Sequence, residues 1–239
     1  MIGGPPPYPR TPHLWPTTQH PSRLVLSPVE AERWLHEPVI VEEKLDGANV
    51  SLWWDDGVRV ASRGGLGSMD RAGQLGRLRA LTAERTETLR GLLADGWVLY
   101  AEWLWLRHGV AYDRLPDWLV ALDLWHPKRG FADVVTRDGR CAAAGVPLPP
   151  RLFDGVLGQR QTVLSLLAAS HFSSTDPAEG LILRSRDGRR CKVVTSGFSQ
   201  RDDHTWAAGH AYNAVTHPDR SHKTVATMTP GLMRSEDSA

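Results

Sequence analysis

The chain is short of lysine. Four are present in 239 residues, Lys44, Lys128, Lys192 and Lys223, against 24 arginines. Arginine stays charged near neutral pH, whereas a lysine amine can shed its proton and attack an electrophile. Each lysine of so arginine-rich a chain is therefore worth locating. Cysteine is scarcer still: Cys141 and Cys191 stand fifty positions apart with no CxxC pair. That argues against a disulfide framework and a cysteine-based zinc site and fits a reducing, cytoplasmic setting. Ten histidines show no HExxH or comparable zinc spacing. Net charge is nearly absent, +1 from 28 basic and 27 acidic side chains. A globally polybasic nucleic-acid binder is excluded, so a polyanionic partner must be met by a local patch. No apolar run approaches the roughly 20 residues of a membrane span. The N-terminus MIGGPPPYPRTPHLWP has neither the basic nor the apolar region of a signal peptide.

What is present is a globular balance, 41% hydrophobic and 23% charged. Residues 1–22 are proline-rich and read as an extended arm, 23–215 as one domain, and 216–239 as a polar, aperiodic, flexible tail. Ser27-Pro28 with Glu30 signals a short helix ending near His36. Strands are expected at 39–44, 48–54 and 58–62, the last two joined by Asp55-Asp56-Gly57. Leucines at 75, 78, 81, 89, 92 and 93 predict an amphipathic helix over 70–94. Buried strands follow at 97–105 and 118–125, helices near 133–144 and 159–169, a second hairpin at 181–185 and 190–195 around Asp187-Gly188, and a closing helix over 203–215. Strands in hairpins, without regular β-α alternation, give an α+β class with antiparallel sheets.

The first chemical signal is Glu43-Lys44-Leu45-Asp46-Gly47-Ala48-Asn49, a lysine at a strand end just before a glycine turn. An amine there can be partly desolvated and face a cleft, which favours its nucleophilic form. Taken alone, the same residues read more readily as an ordinary surface lysine entering an Asp-Gly turn. Later segments shift the balance. Ser62-Arg63-Gly64 sets a guanidinium beside glycines, and Glu102 and Asp123 place carboxylates inside apolar strands. Glu179-Gly180-Leu181-Ile182-Leu183-Arg184 adds another, and Arg190-Cys191-Lys192 brings two cations to the next strand. A buried unpaired charge costs several kcal/mol, so such carboxylates have partners or ligands.

In this order the segments resemble the covalent nucleotidyltransferase superfamily, which comprises polynucleotide ligases and mRNA capping enzymes. Lys44-Leu45-Asp46-Gly47 is similar to its KxDG motif, Ser62-Arg63-Gly64 to its second motif, and Glu179 through Arg184 to EGhhhR. Asn49, five residues after the lysine, and the segment His108 through Asp113 are similar to RNA ligases of the phage RNA ligase 2 type rather than to DNA ligases. The resemblance spans about residues 38–195. It implies an ATP-grasp-like ligase domain of antiparallel sheets flanked by helices. An OB domain is not expected, since 47 residues follow Lys192, too few for that five-stranded barrel.

The resemblance also implies a reaction, ATP-dependent sealing of 5′-phosphate and 3′-hydroxyl RNA ends, with AMP carried covalently on Lys44. Lys192 and Arg190 would neutralise phosphate charge, and Glu179 would hold Mg²⁺ or Mn²⁺. Arg63 and Glu102 would contact the nucleotide sugar or the polynucleotide end, and Asn49 would lie near the α-phosphate. Asp46 and Gly47 complete the nucleotide-binding turn, and the Glu43 backbone would read the adenine edge. Leu122 stands where an aromatic usually stacks on adenine, with Ile182 covering the other face. The Lys44 pKa must fall from about 10.4, and Mg²⁺ and Lys192 are the expected means. The implied partners are RNA ends or a nicked duplex, an RNA–DNA hybrid included, and a partner protein in place of an accessory domain. Arginines at 59, 63, 71, 77, 79, 85 and 90 offer a phosphate-tracking surface, or else a solvated helix face. Competing readings are a DNA ligase or capping-type nucleotidyltransferase, and a non-catalytic nucleotide-binding module.

Overall fold

The computed structural model describes residues 4–16, 24–63, 73–195 and 211–216. Its first helix, α1 (Pro28–His36), starts on a capping box: the Ser27 hydroxyl accepts from the Glu30 amide, the Glu30 carboxylate accepts from the Ser27 amide, and Pro28 sits at the first position. There follow β1 (Pro38–Lys44), β2 (Ala48–Trp54), β3 (Val58–Ser62), α2 (Gln74–Glu84), α3 (Thr86–Leu93), β4 (Val98–Trp103), β5 (Leu119–His126) and β6 (Gly130–Phe131). The chain continues through α4 (Val134–Ala143), β7 (Arg151–Val156), α5 (Arg160–Ser165), β8 (Gly180–Ser185) and β9 (Arg190–Val194). Two antiparallel sheets form, in the orders β7-β1-β8-β9 and β3-β2-β4-β5-β6. The α+β expectation is met.

Alternation along the strands decides which residues meet. Val39, Val41, Leu181, Leu183, Cys191 and Val193 bury against Ala31, Trp34 and Leu35 of α1, so Ile40, Glu42, Ile182, Arg184, Arg190 and Lys192 take the opposite face. In the second sheet, Val50, Leu52, Leu99, Ala101 and Trp103 bury with the leucines of α2 and α3. A register shift between Tyr100 and Ala101 puts Tyr100 opposite Asp123 but Ala101 opposite Ala121. This bulge lets Leu119, Ala121 and Leu124 share the core and turns Asp123 towards the first sheet.

Several expectations are corrected. The helix over 70–94 is two helices, broken at Arg85, where the Thr86 hydroxyl donates to the Thr82 and Ala83 carbonyls. The break keeps all six leucines in one core; residues 70–72 lie outside the described residues. The helix expected over 159–169 stops at Ser165. The closing helix is not formed at 211–215: Tyr212 and Val215 bridge to Leu106 and Leu115. Buried Asn213 instead donates to the Leu104 and Leu106 carbonyls at 2.8 and 3.2 Å and accepts the Tyr112 amide at 2.9 Å. Residues 203–210 and the tail from 217 lie outside the described residues.

The N-terminal segment is extended and docked. His13 bridges to Lys192 on β9, with the Leu14 amide on the Lys192 carbonyl and the Lys192 amide on the Pro12 carbonyl, both at 2.9 Å. This covers a sheet edge that would otherwise expose unpaired backbone. Leu14 and Tyr8 are buried. Cys141 and Cys191 are buried free thiols, and no helix among the described residues is long and apolar enough to cross a membrane.

Candidate active site

Register brings the chemistry together. Lys44 ends β1 opposite Gly180, the first residue of β8, so Glu179 arrives beside it and its carboxylate accepts from the Lys44 ammonium. Glu179 is buried, while the Lys44 side chain keeps 19% of its surface exposed. Gly180 has to be glycine: a Cβ there would lie 2.1 Å from the Val193 carbonyl oxygen. Gly47 is equally constrained, its Cβ position being 2.7 Å from both the Trp103 carbonyl oxygen and Leu104 Cδ2.

Burial alone would lower the Lys44 amine, but Glu179, Glu102 and Asp46 outweigh it and hold the ammonium above its ordinary value. The expected depression is thus reversed in this arrangement, because carboxylates face the amine. It is Lys192 that yields, to about 8, through burial and the repulsion of Lys44. Glu102, opposite Asn49 in the β2–β4 register, accepts the Gly47 amide at 3.1 Å. Burial raises its carboxyl to about 7; Lys44 opposes the shift and Glu179 and Asp46 add to it. The Asn49 Oδ1 is buried without a hydrogen-bond partner among the described residues, an acceptor suited to a ligand's donor.

Other site residues face elsewhere. The Asp46 carboxylate accepts the amides of Gly109 and Val110, and its own amide donates to the Tyr112 hydroxyl at 2.8 Å. It pins the 108–113 segment over the glycine turn. The Glu43 carboxylate is taken by the Ser170 hydroxyl and by the His171 amide at 2.8 Å, and its amide donates to the Pro150 carbonyl. Arg63 is exposed at the end of β3, its amide 3.1 Å from the Asn49 carbonyl. Leu122 and Ile182 are half-buried, and the Leu122 carbonyl accepts from both Arg137 and Arg184 at 3.1 Å.

Between the sheets lies a buried ionic floor that sequence reasoning found only in part. Arg184 joins Glu42, at 3.3 Å, to Asp123. Arg137 of α4 grips both Glu42 oxygens, and Arg190 reaches Asp123 at 3.3 Å. Burial pushes the Glu42 carboxyl up, but the Arg184 and Arg137 guanidiniums outweigh it and hold the group low. Tyr8 donates its hydroxyl to Asp123 and lies under Arg190, 4.4 Å from ring centroid to guanidinium, with Arg63 at 6.0 Å. Arg190, expected on the phosphates, is thus held against this floor rather than beside Lys44. Glu42, Arg137 and Tyr8 were missed. Arg137 had a signal, since it occupies the buried stripe of α4 between Val134 and Cys141.

Among the described residues, no group of three Asp, Glu, His or Cys side chains is placed to cage a metal. Mg²⁺ needs no such cage: it is bound through one or two carboxylates, phosphate oxygens and water. The surplus of acid around Lys44, with Glu179 facing the amine, fits such a partial site.

A sequence model of the RNA ligase family matches residues 37–198, more than half of the chain. The chain belongs to that family. No curated protein sequence matches it. Solved structures similar to it include a mutant RNA ligase of Naegleria gruberi with ATP and Mn, at 14% identity and TM-score 0.48, covering 69% of this chain and 52% of that one. Another is the same organism's RNA ligase with PPi, at 16% identity and TM-score 0.43, covering 69% and 51%. The chain spans about half the length of these proteins.

Proposed function

We propose that this chain is an ATP-dependent RNA ligase that works through a lysyl-AMP intermediate on Lys44. The observation that carries the reading is the convergence on one cleft of Lys44, Glu179, Glu102, Asn49 and Lys192 from β1, the start of β8, β4, β2 and β9. Membership of the RNA ligase family supports it.

The Lys44 nitrogen attacks the α-phosphorus of ATP; an N–P bond forms and the bond to the pyrophosphate oxygen breaks, that oxygen leaving with the electron pair. AMP then passes to the 5′-phosphate oxygen of an RNA end, freeing Lys44. Attack by a 3′-hydroxyl on that 5′-phosphorus forms the phosphodiester and expels AMP. Lys44 can act only as the free amine, so its ion pair with Glu179 is a resting state. Were Glu179 to turn to a bound cation, the ammonium would lose its ion pair and could release its proton to water. A divalent cation held there by Glu179 would neutralise phosphate charge. Lys192 supplies a mobile positive charge near the transferring phosphate. Leu122 and Ile182 would enclose the adenine, an aliphatic sandwich without aromatic stacking.

The test is strand sealing. With ATP and Mg²⁺, a nicked duplex carrying RNA at the 3′-hydroxyl side is joined, and Lys44→Ala abolishes joining. Sealing that requires NAD⁺ or proceeds only with DNA at the nick overturns the assignment, as does binding of ATP without transfer.

A further inference from the structure

Beside the cleft, at the outer edge of β9, a cavity of about 340 Å³ is walled by the N-terminal segment and α1. Four of its lining residues are arginines, Arg10, Arg33, Arg189 and Arg190, and a single one, Glu30, is acidic. Glu30 is spent on the α1 capping box. Arg189 is compensated by Asp187 and Glu37. Arg33 lies near enough to Glu30 to help hold its carboxyl low, and Arg10 lines the same cavity. Arg190, whose side chain is only 9% exposed and pairs with Asp123, has an Nε with no hydrogen-bond partner among the described residues. A concave surface with four guanidiniums against one carboxylate is a site for an oxyanion.

We propose that this cavity binds a backbone phosphate of the RNA strand. The proposal rests on the reading of the chain as an RNA ligase and extends its substrate contacts to the N-terminal segment. Position argues against a phosphate of ATP. Lys44, Gly180 and Val194 share one row across the sheet, and Arg190 lies four strand positions from that row, roughly 13 Å away. Two P–O–P linkages from an α-phosphorus at Lys44 do not reach so far, whereas a polynucleotide continues past the cleft. Lys192 and Arg190 share one face of β9, and Arg10 is near enough to Lys192 to help depress its amine. Arg10, a lining residue of the cavity, thus links it to Lys192. Phosphate contacts carry no base information, so the site should act equally on all sequences.

The test compares wild type with Arg10→Ala/Arg33→Ala in three measurements: protein labelling by α-labelled ATP, sealing of a pre-adenylated RNA strand, and binding of single-stranded RNAs of different sequence across a salt series. At pH 7, where Lys192 is charged with or without Arg10, the double variant should label from ATP at the wild-type rate and seal the pre-adenylated strand more slowly at limiting RNA. Its slope of log K against log salt should fall by roughly 0.7, the value for one phosphate, equally for every sequence. Arg10→Lys/Arg33→Lys should restore the slope. An unchanged slope, or a defect confined to labelling from ATP, overturns the proposal; the latter would assign the cavity to the nucleotide. Absence of label in the wild type would instead overturn the ligase reading, and the salt series would still decide whether these arginines hold RNA.

Discussion

Arg137→Met removes the guanidinium that grips both Glu42 oxygens from a position 1% exposed. Glu42 is then left buried with Arg184 alone, 3.3 Å away. Breaking one side of a buried ion pair costs about 3–5 kcal/mol, mostly the penalty of the charge left behind. In urea this is a midpoint lower by roughly 1–2 M at an unchanged slope. Adding Glu42→Gln removes the stranded charge, so the double variant should recover part of the loss, a coupling of about 1–3 kcal/mol. The pH dependence has a fixed sign. The folded state holds the Glu42 carboxyl below its ordinary value of 4.5, so its contribution is present above that value and is lost as pH falls through the folded pKa. Arg137→Met raises that folded pKa, and the loss should begin at a higher pH. A variant within 1 kcal/mol of wild type at pH 7, or zero coupling to Glu42→Gln, would refute the ionic floor as a stabilising element.

Two further substitutions test the cleft. Gly47→Ala drives a Cβ to 2.7 Å from the Trp103 carbonyl oxygen, and backbone cannot yield as a side-chain tip can. A loss of about 1–3 kcal/mol, read by urea unfolding, should accompany loss of labelling from ATP. Lys192, held near 8, should lose its charge as pH rises through that value. The labelling rate of the wild type should therefore fall on the alkaline side, while Lys192→Arg, which keeps its charge, extends the active range upwards by more than one pH unit.

Much of the frame was legible because short-range chemistry writes it. The β2–β3 and β8–β9 hairpins follow from Asp-Gly turns between apolar runs, and α1 from its capping box. Lys44, Glu179 and Lys192 stood out because a rare lysine and buried carboxylates break apolar strands. The rest depends on contacts that no local pattern records. β7 is a half-exposed edge strand without clear alternation, and the bulge that aims Asp123 is a property of two strands together. The break at Arg85 is a local competition for carbonyls that leucine spacing does not show. The docking of Tyr8 on Asp123 joins residues 115 positions apart. Asp46 and Glu43, assigned to the nucleotide by resemblance, the latter through its backbone, spend their carboxylates on loops that close over the strand ends.

Mass-spectrometric mapping after incubation with ATP and Mg²⁺ tests the central claim most directly. The account predicts AMP on a peptide containing Lys44, removed by added pyrophosphate. Lys44→Arg, which keeps a cation beside Glu179 but cannot supply a neutral amine, should fold and carry no adduct. AMP on another residue, or an adduct that survives this substitution, would contradict it.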